Sequence, residues 1–260
     1  LLRFAFALVL ILCLWLPCPA TALAVTGNQQ IASSVAASRE PEYLLALSWQ
    51  PSFCETKPSK QECQTQTSRR FDATHLVLHG LWPQPQANIY CGVPQRIIQL
   101  DQNKQWANLP PINLSAPTRR ALAEKMPGLM SNLHLHEWYK HGTCYSHSPE
   151  EYFQESIALL DQVNNSSVQD LLERNIGRFL EARTIRSEFD RAFSQGAGAR
   201  VQVQCERDID QDRNNMVVEL QLNLKGVIQP TTPMKGLLLA GRNVPLGCSR
   251  GEIDPAGVNQ

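Results

Sequence analysis

Charge of one sign is what this sequence lacks most plainly: 24 Lys and Arg stand against 24 Asp and Glu, a formal net charge of 0 over 260 residues. Proteins that hold a polyanion by bulk electrostatics carry a basic excess, so any site for such a ligand must be local and short. Long apolar runs are also missing after the first two dozen residues, which excludes a second membrane-spanning candidate. Histidine is scarce; the six imidazoles all lie between His75 and His147. No H-E-x-x-H zinc motif occurs, the nearest approach being His136-Glu137-x-x-x-His141, one residue too long. On an α-helix, positions i and i+5 stand about 140° apart. We therefore expect neither a metal site nor a cofactor there.

The apolar run that does exist spans residues 4–16, behind Arg3 and ahead of Ala22-Leu23-Ala24. A positive start, a short apolar stretch and an A-x-A end form a secretory signal over residues 1–24. The sequence opens on Leu1 rather than Met, which we read as an alternative start codon or a shortened sequence. Cleavage would remove one charge, Arg3, taking the net charge from 0 to −1. Residues 25–40, rich in Ala, Ser, Gln and Asn without apolar period, read as a disordered lead-in. The mature chain is expected to be secreted or periplasmic, away from the membrane and monomeric.

Eight cysteines become six after cleavage: Cys54, Cys63, Cys91, Cys144, Cys205 and Cys248. An even number in an exported chain reads as disulfides, and six allow fifteen connectivities. Our expectation is Cys54–Cys63, Cys91–Cys144 and Cys205–Cys248, which makes Cys144 a bridge half rather than a thiol nucleophile.

Periodicity supplies the elements. Residues 43–50 read as a buried strand, and the polar segment from Cys54 to Cys63 as a surface loop. Residues 74–79 alternate, with Leu76 and Leu78 on one face and His75, Val77 and His79 on the other. The clearest strand has Met216, Val218, Leu220, Leu222 and Leu224 inward and Val217, Glu219, Gln221 and Asn223 outward. Residues 200–205 read as another strand. Helices are expected over 95–106, 115–126, 167–175 and 185–195. Another starts at Ser148-Pro149-Glu150-Glu151, with Phe153, Ile157 and Leu160 as its buried stripe. Helices and strands do not alternate regularly. The fold class is α+β, one disulfide-stabilised domain over 41–260, with a mainly antiparallel central sheet flanked by helices.

Two segments carry the chemistry. His134-Leu135-His136-Glu137-Trp138-Tyr139-Lys140-His141-Gly142-Thr143-Cys144 puts three imidazoles, a carboxylate and an ammonium within eight positions, and His79-Gly80-Leu81-Trp82-Pro83 adds another imidazole beside an indole. Imidazole moves protons near neutral pH better than any other side chain. Two histidines on opposite sides of a phosphorus can serve as base and acid for transfer to a ribose 2′-hydroxyl. Lys140 and a third imidazole can steady the equatorial oxygens, and Trp82 can stack an unpaired base. His134, His75 and His147 read as structural or surface residues, Trp138 as core, and Arg69-Arg70 and Arg119-Arg120 as solvated surface.

These two segments, in this order and within a six-cysteine exported chain, resemble the active-site segments of the ribonuclease T2 family, bacterial secreted or periplasmic members above all. Leu47-Ser48-Trp49-Gln50-Pro51 before Cys54, and the Cys91 position, are similar too. The resemblance implies an α+β fold and cleavage of single-stranded RNA, sparing DNA, through a 2′,3′-cyclic phosphate without a metal. It implies His141 as general base and His79 as general acid, labels that sequence leaves exchangeable. His136 would hold the phosphate, and Glu137 and Lys140 would stabilise the transition state. Trp82 belongs to the base pocket. Gln84 stands where some members carry Asp, and low base specificity is the expectation. A binding protein that keeps the scaffold without turnover is the alternative, although such a protein has no need of the full set of five.

Overall fold

The structure, a computed structural model, describes Leu1 and residues 40–207 and 215–257. The signal expectation, apart from Leu1, and the lead-in, apart from Glu40, lie outside the described residues. Among the described residues no helix is long and apolar enough to cross a membrane.

Among the described residues six strands form one sheet: β1 (Glu42–Trp49), β2 (Leu76–Pro83), β3 (Arg178–Glu181), β4 (Val201–Glu206), β5 (Met216–Lys225) and β6 (Arg250–Ile253). Their order is β2-β1-β5-β6-β3, with β4 also paired to β5. Every pairing is antiparallel except β5 with β6, so the sheet is mixed but mainly antiparallel. β5 alternates as its sequence dictates at Leu220, Leu222 and Leu224, all buried. Val217 and Asn223 on its other face are buried too, because helices and loops cover parts of both faces.

The helix Pro149–Asn164 starts where Ser148 accepts from the Glu151 amide. Its Phe153, Ile157 and Leu160 sink into the core beside Leu45, Leu47, Leu76 and Leu78. Tyr152 on the same helix donates to the Leu81 carbonyl at 3.1 Å and accepts from the Leu81 amide at 3.2 Å, pinning the helix to β2. The helices Ala116–Lys125, Ser167–Arg174 and Ala182–Phe193 fall where periodicity puts them, the last starting three residues earlier.

One expectation is corrected in part. The Cys54–Cys63 segment is not a surface loop throughout: Gln50–Thr56 and Gln61–Gln64 are helical, and Cys54, Glu55, Thr56, Glu62 and Cys63 are buried, while Lys57, Pro58, Ser59 and Gln61 stay exposed. The Gln50 amide reaches both sulfurs, at 3.5 and 3.9 Å, which gives its polar end a partner inside. The tail carrying Cys248 adds β6, whose Ile253 is fully buried. All three expected disulfides, Cys54–Cys63, Cys91–Cys144 and Cys205–Cys248, are formed.

Candidate active site

His79 owes its position to a flaw in β2. Along the β1–β2 ladder Ala46 faces Gly80 and the next residue, Leu47, faces Leu78, so His79 is the extra residue of a bulge. Bulges kink a strand and re-aim a side chain. Val77 is buried at 1%, whereas the His79 side chain is 35% exposed and opens into a cleft. Glycine follows for a reason of space. A Cβ on Gly80 would stand 2.0 Å from Glu137 Oε2 and 2.6 Å from Trp82 Nε1.

The histidine cluster winds as an α-helical turn, Leu133–Glu137, then a π-helical turn, Trp138–Gly142. Single π turns inside helices recur at functional sites. The angular argument against joining His136 to His141 assumed α-helical winding throughout, and here it fails. The wider turn brings i and i+5 round to one side, and the two rings lie 6.4 Å apart, edge to face. Gly142 completes the packing, since a Cβ there would meet Trp138 at 2.4 Å.

The two segments meet in a cleft of about 580 Å³ lined by His79, Trp82, Gln84, His136, Glu137, Lys140 and His141, with Gln86, Gln221 and Arg242 at its margins. All seven residues singled out from the sequence are therefore brought together. Trp82 is the centrepiece, edge-on to His79 at 5.1 Å and stacked on His141 at 5.3 Å. Its Nε1 donates to Glu137 Oε2 at 2.8 Å. Glu137 Oε1 lies 3.7 Å from His79 Nε2 and 3.9 Å from His136 Nε2. Gln84 Nε2 donates to the Trp82 carbonyl at 3.2 Å.

Two carboxylates outside the motifs hold the imidazoles. His79 Nδ1 lies 2.6 Å from Glu219 Oε2 on β5, and His136 Nδ1 lies 2.7 Å from the buried Asp101 Oδ1. Asp101 Oδ2 also accepts from the Tyr90 hydroxyl at 2.6 Å, and Trp106 stacks on the His136 ring at 4.5 Å. Sequence reasoning placed Glu219 on an outward strand face without linking it to His79, and missed Asp101, Trp106 and Arg242. Arg70 is drawn off by Asp72 at 2.9 Å. His75 stacks on Phe71, and His134 is a partly buried structural residue held down to about 4 by burial and by Arg119.

Electrostatics separates the two motif histidines. Burial disfavours charge on His79, but the Glu219 hydrogen bond and the Glu219 and Glu137 charges outweigh it and lift the imidazole to about 9. Burial also depresses His141, and Lys140, His136 and His79 add to that, bringing it to about 3. One ring is thus charged and the other neutral at pH 7. Burial pushes the Glu137 carboxyl up, against the pull of His79, His136, the Trp82 hydrogen bond and Lys140.

An α+β domain with imidazoles of opposed proton affinity around one indole has the equipment of an acid–base enzyme. The model of the Ribonuclease T2 family matches residues 42–231. The chain belongs to that family and is a T2-type RNA endonuclease. It is 30% identical over 204 residues to Ribonuclease I of Escherichia coli, covering 70% of this chain and 74% of that one. It is 31% identical over 112 residues to a ribonuclease of Aeromonas hydrophila, covering 43% and 41%. Among solved structures, RNase NT in complex with 5′-AMP aligns with a TM-score of 0.47 at 19% identity, over 83% of this chain and 98% of that one.

Proposed function

We propose that this nuclease cuts single-stranded RNA by transphosphorylation, with neutral His141 as base and charged His79 as acid. His141 takes the proton from the ribose 2′-hydroxyl, whose oxygen attacks the adjacent phosphorus. His79 protonates the departing 5′-oxygen, leaving a 2′,3′-cyclic phosphate on one fragment and a 5′-hydroxyl on the other. The observation that carries the assignment is the opposed proton affinity, about 3 and about 9, of two rings that both pack against Trp82. That opposition supports His141 as base and His79 as acid, two labels that the sequence leaves exchangeable.

His136 and Lys140 supply donors for the equatorial oxygens, and Glu137, whose carboxyl burial pushes up, lies between the His79 and His136 rings. Trp82, stacked on His141, presents a face that accepts any base, which favours low base specificity with Gln84 beside it. The steps call for no metal, and DNA lacks the nucleophile. We further propose that the chain acts as a monomer after export to the periplasm or beyond the cell. Mixed-sequence RNA incubated with enzyme and EDTA should yield cyclic-phosphate ends at many base steps. Ends bearing only 5′-phosphate, or a requirement for added metal, would overturn this reading.

A further inference from the structure

His79 borders a second hollow, which Trp82 does not line. It has a volume of about 350 Å³ and is walled by Ser48, Phe53, Trp106 and three ammonium-bearing residues, Lys57, Lys60 and Lys104. We propose that this hollow is a phosphate subsite for the RNA strand beyond the scissile bond, on its 3′ side.

The charge distribution makes the argument. The whole chain has a formal net charge of 0, yet three of its seven lysines converge on this one hollow from separate segments. Lys57 and Lys60 lie in the loop closed by Cys54–Cys63, and Lys104 follows the helix Gln95–Gln102. Lys60 Nζ stands 5.2 Å from the Trp106 ring, and Lys57 Nζ donates to the Thr56 carbonyl at 3.1 Å, so neither is spent on a carboxylate there. The one carboxylate in the wall, Glu62, is buried and accepts from Ser131 Oγ. Three positive groups against one negative leave a local excess of two. Glu219, on the neighbouring lip with Glu206, is engaged by His79. Lysine ammoniums on flexible stems bind phosphate as point charges, without the fixed geometry of arginine.

Polarity follows from chemistry and rests on the acid role proposed for His79. The leaving 5′-oxygen belongs to the downstream nucleoside, so that nucleoside departs past His79. The next phosphodiester of the same strand, on its 3′-oxygen, then comes to the lysines.

The test compares two substrates, a dinucleoside monophosphate and the same molecule carrying a 3′-terminal phosphate. With the full chain, kcat/KM should favour the second on the order of tenfold, the worth of one charge-assisted contact. The combined variant Lys57→Gln, Lys60→Gln, Lys104→Gln should lose that preference while cutting the shorter substrate at its former rate, which also shows that it folds. No preference in the parent, a preference kept by the variant, or a lysine-dependent preference for a 5′-terminal phosphate instead would each overturn the subsite. A lysine-dependent 3′-phosphate preference would uphold it even if His79 proved not to be the acid.

Discussion

Glu219 Oε2 lies 2.6 Å from His79 Nδ1, joining residues 140 positions apart. The contact spans three adjacent strands: β2 carries His79, β5 carries Glu219, and between them β1 places the small Ser48 opposite Glu219. A carboxylate at this distance fixes the ring's orientation and holds its proton. Glu219→Gln keeps a hydrogen-bonding side chain but removes the charge. His79 should then fall from about 9 toward the ordinary imidazole range, and the alkaline limb of the kcat/KM profile should move down with it. An unmoved limb would remove Glu219 from the mechanism.

The unmodified enzyme should show a broad bell. The proposed mechanism requires His141 neutral and His79 charged, so kcat/KM should rise as pH passes about 3, hold, and fall through about 9. Stability follows related signs. His79 is raised above its unfolded value, so its contribution is full below about 6.5 and is lost as pH rises through about 9. His141 is depressed, so its contribution is present above about 6.5 and is lost as pH falls toward about 3. Thermal melts across pH should show both slopes, and His141→Ala should flatten the acid one.

In the proposed mechanism Asp101 positions His136. It holds His136 at 2.7 Å and is itself held by Tyr90 at 2.6 Å. Asp101→Asn should raise KM several-fold through a misplaced His136, and should lower stability by about 1.5–3 kcal/mol, the usual worth of a hydrogen bond to a charged group. Tyr90→Phe should do the same more mildly. A stability loss with KM unchanged would mean that Asp101 serves the fold alone.

Gly80→Ala tests the close approach of the two segments. The added methyl would stand 2.0 Å from Glu137 Oε2, so Glu137 and Trp82 must shift. We expect a folded protein, destabilised by about 1–3 kcal/mol as overpacking usually costs, with kcat reduced at least tenfold. Near-parent kcat would show that Glu137 need not sit where it does.

Much of this was readable from residue order, and the exceptions have physical causes. β1, β2 and β5 carry strong apolar patterns, and Ser148-Pro149-Glu150-Glu151 announces its helix. β3 and β6 have four residues each and no telling alternation; pairing makes them strands. The Cys54–Cys63 segment is polar in composition, yet its disulfide and Gln50 carry its two ends into the interior while Lys57, Pro58 and Ser59 stay exposed. The motif histidines were legible because their residue types and spacing are distinctive. Their carboxylate partners were not, because linking Glu219 to His79 requires sheet order and register, and Asp101 looks like any helical aspartate. The bulge at His79 and the π turn after Glu137 are hydrogen-bonding shifts that no local composition marks.

The division of labour between His79 and His141 is tested most directly with a nucleoside 3′-(4-nitrophenyl phosphate), whose nitrophenolate departs without a proton. On RNA, His79→Ala and His141→Ala should each lose about 10²–10⁴ in rate. On the nitrophenyl ester, His79→Ala should recover most of its activity while His141→Ala stays inactive. Equal losses on both substrates for His79→Ala, or recovery by His141→Ala instead, would contradict the assignment of acid and base.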